Sequence, residues 1–325
     1  RQMCIRDRDE LADVVREAFA IARSGRPGPV LIDIPKNVTA EKADYEPLPR
    51  SAHGTSGRLG KLMKRSSQNF KAPEPDHRDI DKLVEMIAAS KKPLLICGGG
   101  VVRARAHHEF EALANRIASP VAITVMGAGG FRGRNPLTTG MIGMHGTKTT
   151  SLAVKECDLL IAVGARFSDR VTCDTKTFAK GAKVLQIDVD RAEIDKNIKT
   201  AAHLVGDAKA VLAALNERIS QMEHSLWMQQ IAAWKAAYPL PQTTGETLTP
   251  QCVLEVLHKA THGDAIVTTD VGQHQMWTAQ YYSVNEPRHF ITSGGLGTMG
   301  FGLGAAIGAQ VANPSATVIN VTGDG

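Results

Sequence analysis

Gly323-Asp324-Gly325 follows an apolar run, Thr317-Val318-Ile319-Asn320-Val321-Thr322. A β-forming run that ends in glycines around one carboxylate is how an open α/β sheet presents a metal ligand at the carboxyl ends of its strands. Glycine lets a phosphate approach the backbone, and Mg²⁺ commonly reaches protein through one or two carboxylates plus substrate phosphates. Asp324 therefore reads as a metal ligand beside a phosphate. A second constellation, Ser293 to Gly302, holds G-x-G-x-x-G at Gly295, Gly297 and Gly300, after a short strand and before a helix. With Asp324 beyond the next strand, that matches a dinucleotide fingerprint. A third, Asp270-Val271-Gly272-Gln273-His274-Gln275-Met276-Trp277, follows a strand and opens a helix. A helix N-terminus favours an anion, to which Gln273 and His274 add neutral donors. A plain Rossmann unit requires no such second anion site.

Upstream, five apolar runs end in glycine or polar residues: Gly98-Gly99-Gly100, Thr124 to Gly127, Gly164 to Arg170, Asp188-Val189-Asp190 and Gly206-Asp207. Each alone is ordinary turn chemistry. Five on one sheet favour a nucleotide cofactor, because ligands of open α/β sheets bind outside these ends. A dinucleotide needs a carboxylate for its ribose hydroxyls, and Asp188 or Asp207 could serve. Between the runs, Leu137 to Thr150 reads as a long loop carrying the glycine-flanked His145. Spacing assigns no Ser-His-Asp or Cys-His arrangement, and His107-His108 reads as a solvated helix face.

These residues need elements to hold them. A helix is expected over residues 9–24, then a short strand Val30 to Ile34 stopped by Pro35. Residues 38–78 are polar and read as a linker. From Asp79, apolar runs alternate with helices, the longest spanning 208–234. Runs apolar on both faces, separated by helices, indicate a parallel sheet covered on both sides. A second linker spans Tyr238 to Thr247, and another α/β unit begins at Pro250. Phe290 to Thr322 carries no charge and spaces Gly300, Gly304 and Gly308 like a membrane helix pair, but Pro314 and the glycines favour a glycine loop and a buried helix.

At 325 residues, with 43% hydrophobic and 22% charged residues, the chain reads as a soluble globular protein of two or more domains. Most of its +5 net charge could sit at Arg58, Lys61, Lys64, Arg65 and Lys71, a solvated linker with no nucleic-acid motif. Five widely spaced cysteines argue against a disulfide framework and for a reducing cytosol, and Arg1 to Arg8 has no signal-peptide core.

Taken together, the chain resembles the catalytic large subunit of the acetohydroxyacid synthase (acetolactate synthase) family, from about residue 9 to 325. The likeness is carried by Ser24 to Lys36, Ile142 to Thr147, Gly164 to Thr172, Val271 to Trp277 and Ser293 to Gly302. The resemblance implies an α/β fold of three-layer, doubly wound parallel sheets: a complete central domain flanked by two truncated thiamine-diphosphate-binding domains. The implied boundaries are the end of a pyrimidine-binding domain at 1–40, a linker at 41–78, a central FAD-binding domain at 79–237, a linker at 238–248, and the start of a diphosphate-binding domain at 249–325. It implies decarboxylation of pyruvate and transfer of the two-carbon unit to a second 2-keto acid. Thiamine diphosphate, Mg²⁺ and a structural FAD are the implied cofactors.

By position, Gly272, Gln273, His274, Gly297 and Gly323 would hold the diphosphate, Met299 would support the cofactor, and Asp324 would bind Mg²⁺. Gly99, Thr124, Val125, Met144, His145, Gly164, Arg166, Asp188, Val189 and Asp207 would line the FAD site. Arg170 would stand near the substrate channel. The implied partners are 2-keto acids, a second copy in a homodimer or homotetramer, and a small regulatory subunit, with no nucleic acid and no membrane. The catalytic glutamate would lie upstream and a metal asparagine downstream, so the 325 residues alone are expected to be inactive. Ser168 stands where the family usually has aspartate. Another thiamine-diphosphate carboligase, oxidase or decarboxylase, or a nucleotide-binding module without catalysis, would share the coarser features.

Overall fold

The computed structural model describes residues 2–4, 9–23, 28–42, 75–241 and 248–323, in two compact units, Arg1–Ala72 and Pro73–Gly325. In the first unit, strands β1 (Gln2–Cys4) and β2 (Leu31–Asp33) pair in parallel, and an amphipathic helix spans Leu11–Arg23. A short helix, Lys36–Ala40, starts behind Pro35 and runs into residues 38–40, which read from sequence as linker. Proline at the cap position explains the start, because its fixed φ is compatible with helix entry. Most of the linker, 43–74, lies outside the described residues.

The second unit holds two parallel sheets. The larger consists of β3 (Pro93–Cys97), β4 (Val121–Ile123), β5 (Thr138–Met141), β6 (Leu159–Val163), β7 (Lys183–Asp188) and β8 (Ala202–Val205), in the order β5-β4-β3-β6-β7-β8. Every residue of β3 and β6 is buried, as expected of strands covered on both faces. One face packs on Ile80, Leu83 and Ile87, on Phe110 and Leu113, and on Val211 and Leu215. The other packs on Ala153, Val154, Trp227 and Ile231. The chain grows outward from β3 to β5, then restarts at β6 on the other side of β3. Its switch point therefore lies at the carboxyl ends of β3 and β6.

The expected single helix over 208–234 is two helices, Ala208–Arg218 and Ser225–Ala237. The first buries Val211, Leu212 and Leu215 on one face of the sheet, and the second buries Trp227 and Ile231 on the opposite face. One straight helix cannot cover both faces. The chain turns at 219–224, where the Met222 amide donates to Arg116 O at 2.8 Å. The expected loop 137–150 is corrected in the same way, since it contains β5 and the first turn of a helix, Lys148–Glu156.

The smaller sheet has the order β10-β9-β11, built from β9 (Ile266–Thr269), β10 (Phe290–Thr292) and β11 (Val318–Val321). A helix, Gln273–Tyr281, links β9 to β10, and another, Phe301–Ala312, links β10 to β11 on the far side of β9. This second switch point lies at the carboxyl end of β9. The helix 301–312 is not buried as the sequence suggests. Gly302 and Ala309 face the sheet, whereas Leu303, Ile307 and Val311 are exposed. Nothing lies within contact distance of a Cβ built at Gly300, Gly304 or Gly308. Helical periodicity puts 302, 305, 306 and 309 on one face, which turns the glycine stripe away. No helix among the described residues is long and apolar enough to cross a membrane.

Candidate functional site

The strand ends singled out in the sequence gather along the carboxyl edge of the six-stranded sheet. At the switch point the turn after β3 meets the turn after β6. A Cβ on Gly98 would sit 2.2 Å from Gly164 O, and one on Gly100 would sit 2.5 Å from Gly164 Cα. Gly164 itself has φ +60°. These glycines are required by backbone-to-backbone packing, with the Gly100 amide donating to Gly164 O at 3.0 Å. Gly99 lies against Met126, where a Cβ would meet Met126 Cβ at 3.1 Å.

Around that point the other expected residues take two kinds of position. Thr124 and Asp207 are helix caps: Thr124 Oγ1 accepts from the Gly127 amide, and Asp207 Oδ1 accepts from the amides of Lys209 and Ala210. Asp188 is buried at the end of β7, its Oδ1 accepting from the Asp190 amide at 2.9 Å, and Val189 follows it half-buried. Met144, His145 and Arg166 are exposed at the same edge. Gln186, fully buried in β7, donates to Ala165 O and Glu193 O, both at 3.3 Å, and so ties the turn carrying Arg166 to the turn after Asp188. Asn197 adds a bond to Arg166 O at 3.2 Å.

Arg170 sits on a short helix, Asp169–Thr172, with its guanidinium on Asp169 at 3.0 Å. Its carbonyl accepts the Met144 amide at 2.9 Å, and Gly143, at φ +107°, leaves no room there for a side chain. The turn bearing His145 is thus seated on the segment bearing Arg170. From the helix 273–281, Gln280 Nε2 donates to His145 O at 2.7 Å.

The second cluster forms at the carboxyl end of β9. A cleft of about 550 Å³ is lined by Asp270, Val271, Gly272, Gln273, His274, Trp277, Met299 and Gly323, with an apolar wall from Pro250, Val253, Leu254 and Leu257. Gln273 opens its helix behind Gly272, at φ 156°. The His274 ring lies across two backbones: a Cβ at Gly272 would be 2.9 Å from its Cε1, and one at Gly323 would be 3.3 Å away. His274 Nε2 is buried with no hydrogen-bond partner. A helix N-terminus flanked by glycine backbone suits an anion. Met299 is 77% exposed at the cleft wall. Gly297, at φ +66°, lies against Val271. Asp324 lies outside the described residues, and among those described no group of three or more His, Cys, Asp or Glu could hold a metal.

Two neighbouring interactions fix the cleft. Beneath it, Thr292 Oγ1 accepts from Gln275 Nε2 at 2.6 Å and from Thr269 Oγ1 at 2.7 Å, which locks the start of the helix 273–281 onto β9 and β10. Above it, Asp270 is only 5% exposed and bonds across to the glycine turn at Gly300. Sequence reasoning gives Asp270 no role, because a carboxylate at a strand end looks like any turn former. The two clusters border one another, since a Cβ on Gly294 would meet Met126 Sδ at 2.4 Å.

Residues 80–215 match the family described as thiamine pyrophosphate enzyme, central domain, and residues 270–325 match thiamine pyrophosphate enzyme, C-terminal TPP binding domain. The chain is 45% identical over 327 residues to an acetolactate synthase large subunit of Parasynechococcus marenigrum, covering 98% of this chain and 51% of the relative. It is 42% identical over 330 residues to acetolactate synthase 2, chloroplastic, of Nicotiana tabacum, covering 99% of this chain and 47% of the relative. For an acetolactate synthase large subunit of Cyanidium caldarium the identity is 43% over 328 residues, covering 98% and 54%. The chain spans about half the length of the curated relatives it matches.

Proposed function

We propose that the chain, whose residues 80–215 and 270–325 match the central and C-terminal domains of thiamine pyrophosphate enzymes, is part of an acetohydroxyacid synthase, which decarboxylates pyruvate and transfers the two-carbon unit to a second 2-keto acid in branched-chain amino-acid biosynthesis. The observation that carries the reading is the cleft at the end of β9. It combines a helix N-terminus, a buried unpartnered His274 nitrogen and two glycine backbones, beside an apolar wall. That donor set fits a diphosphate joined to an apolar ring system.

In this reading Gly272, Gln273, His274 and Gly323 hold the diphosphate, and Asp324 binds its Mg²⁺. Bound thiamine diphosphate supplies the nucleophilic carbon and electron sink that decarboxylation of a 2-keto acid needs. The chain's own contribution is placement. Amides and neutral donors fix the anion, Met299 and Trp277 shape the apolar part of the cleft, and the Thr292 network keeps the helix start from drifting. Fixing the reacting groups can remove roughly 7–11 kcal/mol from such a barrier. Arg170 is a cation for the substrate carboxylate, seated beside the His145 turn.

FAD is assigned to the carboxyl edge of the six-stranded sheet, as a structural group. Arg166 suits its diphosphate, Asp188 a ribose, and Met144, Val125 and Gly164 its rings and backbone contacts. The whole enzyme is proposed to work in the cytoplasm as a homodimer or homotetramer with a small regulatory subunit. The test is acetolactate formation from pyruvate with thiamine diphosphate, Mg²⁺ and FAD. A polypeptide that carries these residues together with the flanking sequence of its relatives should turn over, and the 325 residues alone should not. Turnover by the 325 residues alone, or none by the longer polypeptide, contradicts the proposal.

A further inference from the structure

Asp270 joins two segments that both border the cleft. Its Oδ1 accepts from its neighbour's amide, Val271 N, at 2.9 Å, and its Oδ2 accepts from Gly300 N at 3.0 Å, thirty positions along the chain. Gly300 has φ +78° and stands at the start of the helix 301–312, which has no side-chain cap. Gly302 follows so closely on the strand end that a Cβ there would lie 2.7 Å from Asp270 N. The turn 293–300 carries Met299 into the cleft, and its other fixed points are internal: Gly297 N on Ser293 O and Thr298 N on Ser293 Oγ. Gly300 N to Asp270 is therefore the hydrogen bond that ties the Met299 end of the turn to β9. A buried carboxylate matched by two amides is a stable arrangement, and an acceptor at a helix start also suits the helix dipole.

We propose that Asp270 is a positioning residue, clamping the glycine turn to the end of β9 and so holding Met299 at the wall of the cleft. This rests on the reading of the cleft as a thiamine diphosphate site. Asparagine at 270 would leave one amide facing an NH₂ group, and serine would be too short to span to Gly300.

The test uses the 325-residue chain, as Asp270, Asp270→Asn and Asp270→Ser, with two readouts. One is amide hydrogen exchange at Gly300 against the β9 amides of Val267 and Thr268. The other is calorimetric titration with thiamine diphosphate and Mg²⁺. In both variants Gly300 should exchange at least about tenfold faster while the β9 amides hold their rates, and the apparent Kd should rise about tenfold, the effect of losing one hydrogen bond to a charged group. A folded variant with an unchanged Gly300 rate, or with a faster rate and an unchanged Kd, overturns the proposal. If neither variant folds by circular dichroism, Asp270 is a folding residue and the proposal falls. If the unaltered chain takes up no thiamine diphosphate, the cofactor reading fails instead, and the Gly300 rates still decide whether the clamp exists.

Discussion

Asp188 and His258 carry two predictions at the scale of single residues. Asp188 is buried at the end of β7 with one oxygen on the Asp190 amide. If it also receives a ribose hydroxyl, Asp188→Ala should weaken FAD uptake by roughly 1–3 kcal/mol, measured by flavin fluorescence titration. Equal uptake by the variant would remove Asp188 from the site. His258 is buried edge-on against Tyr282, with ring centroids 5.5 Å apart. Burial first, and then the Arg134 charge, push its pKa below the ordinary 6.5, against weaker opposing effects of the Ser283 backbone and Asp264. The unfolded chain therefore takes up this proton at higher pH than the folded one. Stability should be full above about pH 6.5 and decline as the pH falls through and below it. Denaturant midpoints at about pH 7.5 and 5.5 check this, and His258→Gln should flatten the slope. The helix start at Gly272-Gln273-His274 was legible because a strand followed by glycine and polar residues reads as a turn into a helix. Asp270 was not, because its partner amide is thirty positions away.

The elements divide in the same way. β3 and β6 were legible because a strand covered on both faces is apolar throughout. The break at 219–224 was not, because helices on opposite faces of a sheet carry similar apolar content and only tertiary packing separates them. The helix 301–312 is the sharper case. Its sequence is apolar all round, so periodicity could not say that Gly302 faces the sheet while Gly304 and Gly308 do not. The difference is measurable. Gly302→Ala would drive a methyl to within 2.7 Å of Asp270 N and Asn320 Oδ1, and should cost about 1–3 kcal/mol in a denaturant titration. Gly304→Ala meets nothing and should stabilise by about 0.5–1 kcal/mol through helix propensity. Equal effects would mean the helix is rotated from the orientation described.

At the scale of the molecule, both clusters sit at switch points of doubly wound sheets, where the loops diverge and leave room for a ligand. They border each other through Gly294 against Met126 and through Gln280 on the carbonyl of His145. The cleft beyond β9 is proposed to take a diphosphate joined to an apolar ring. Calorimetric titration of the chain with thiamine diphosphate in the presence of Mg²⁺ tests it most directly. One saturable site is expected, which weakens when Mg²⁺ is chelated and is competed by inorganic diphosphate, with thiamine itself binding far more weakly. Absence of binding, or equal binding of thiamine and its diphosphate, would contradict it.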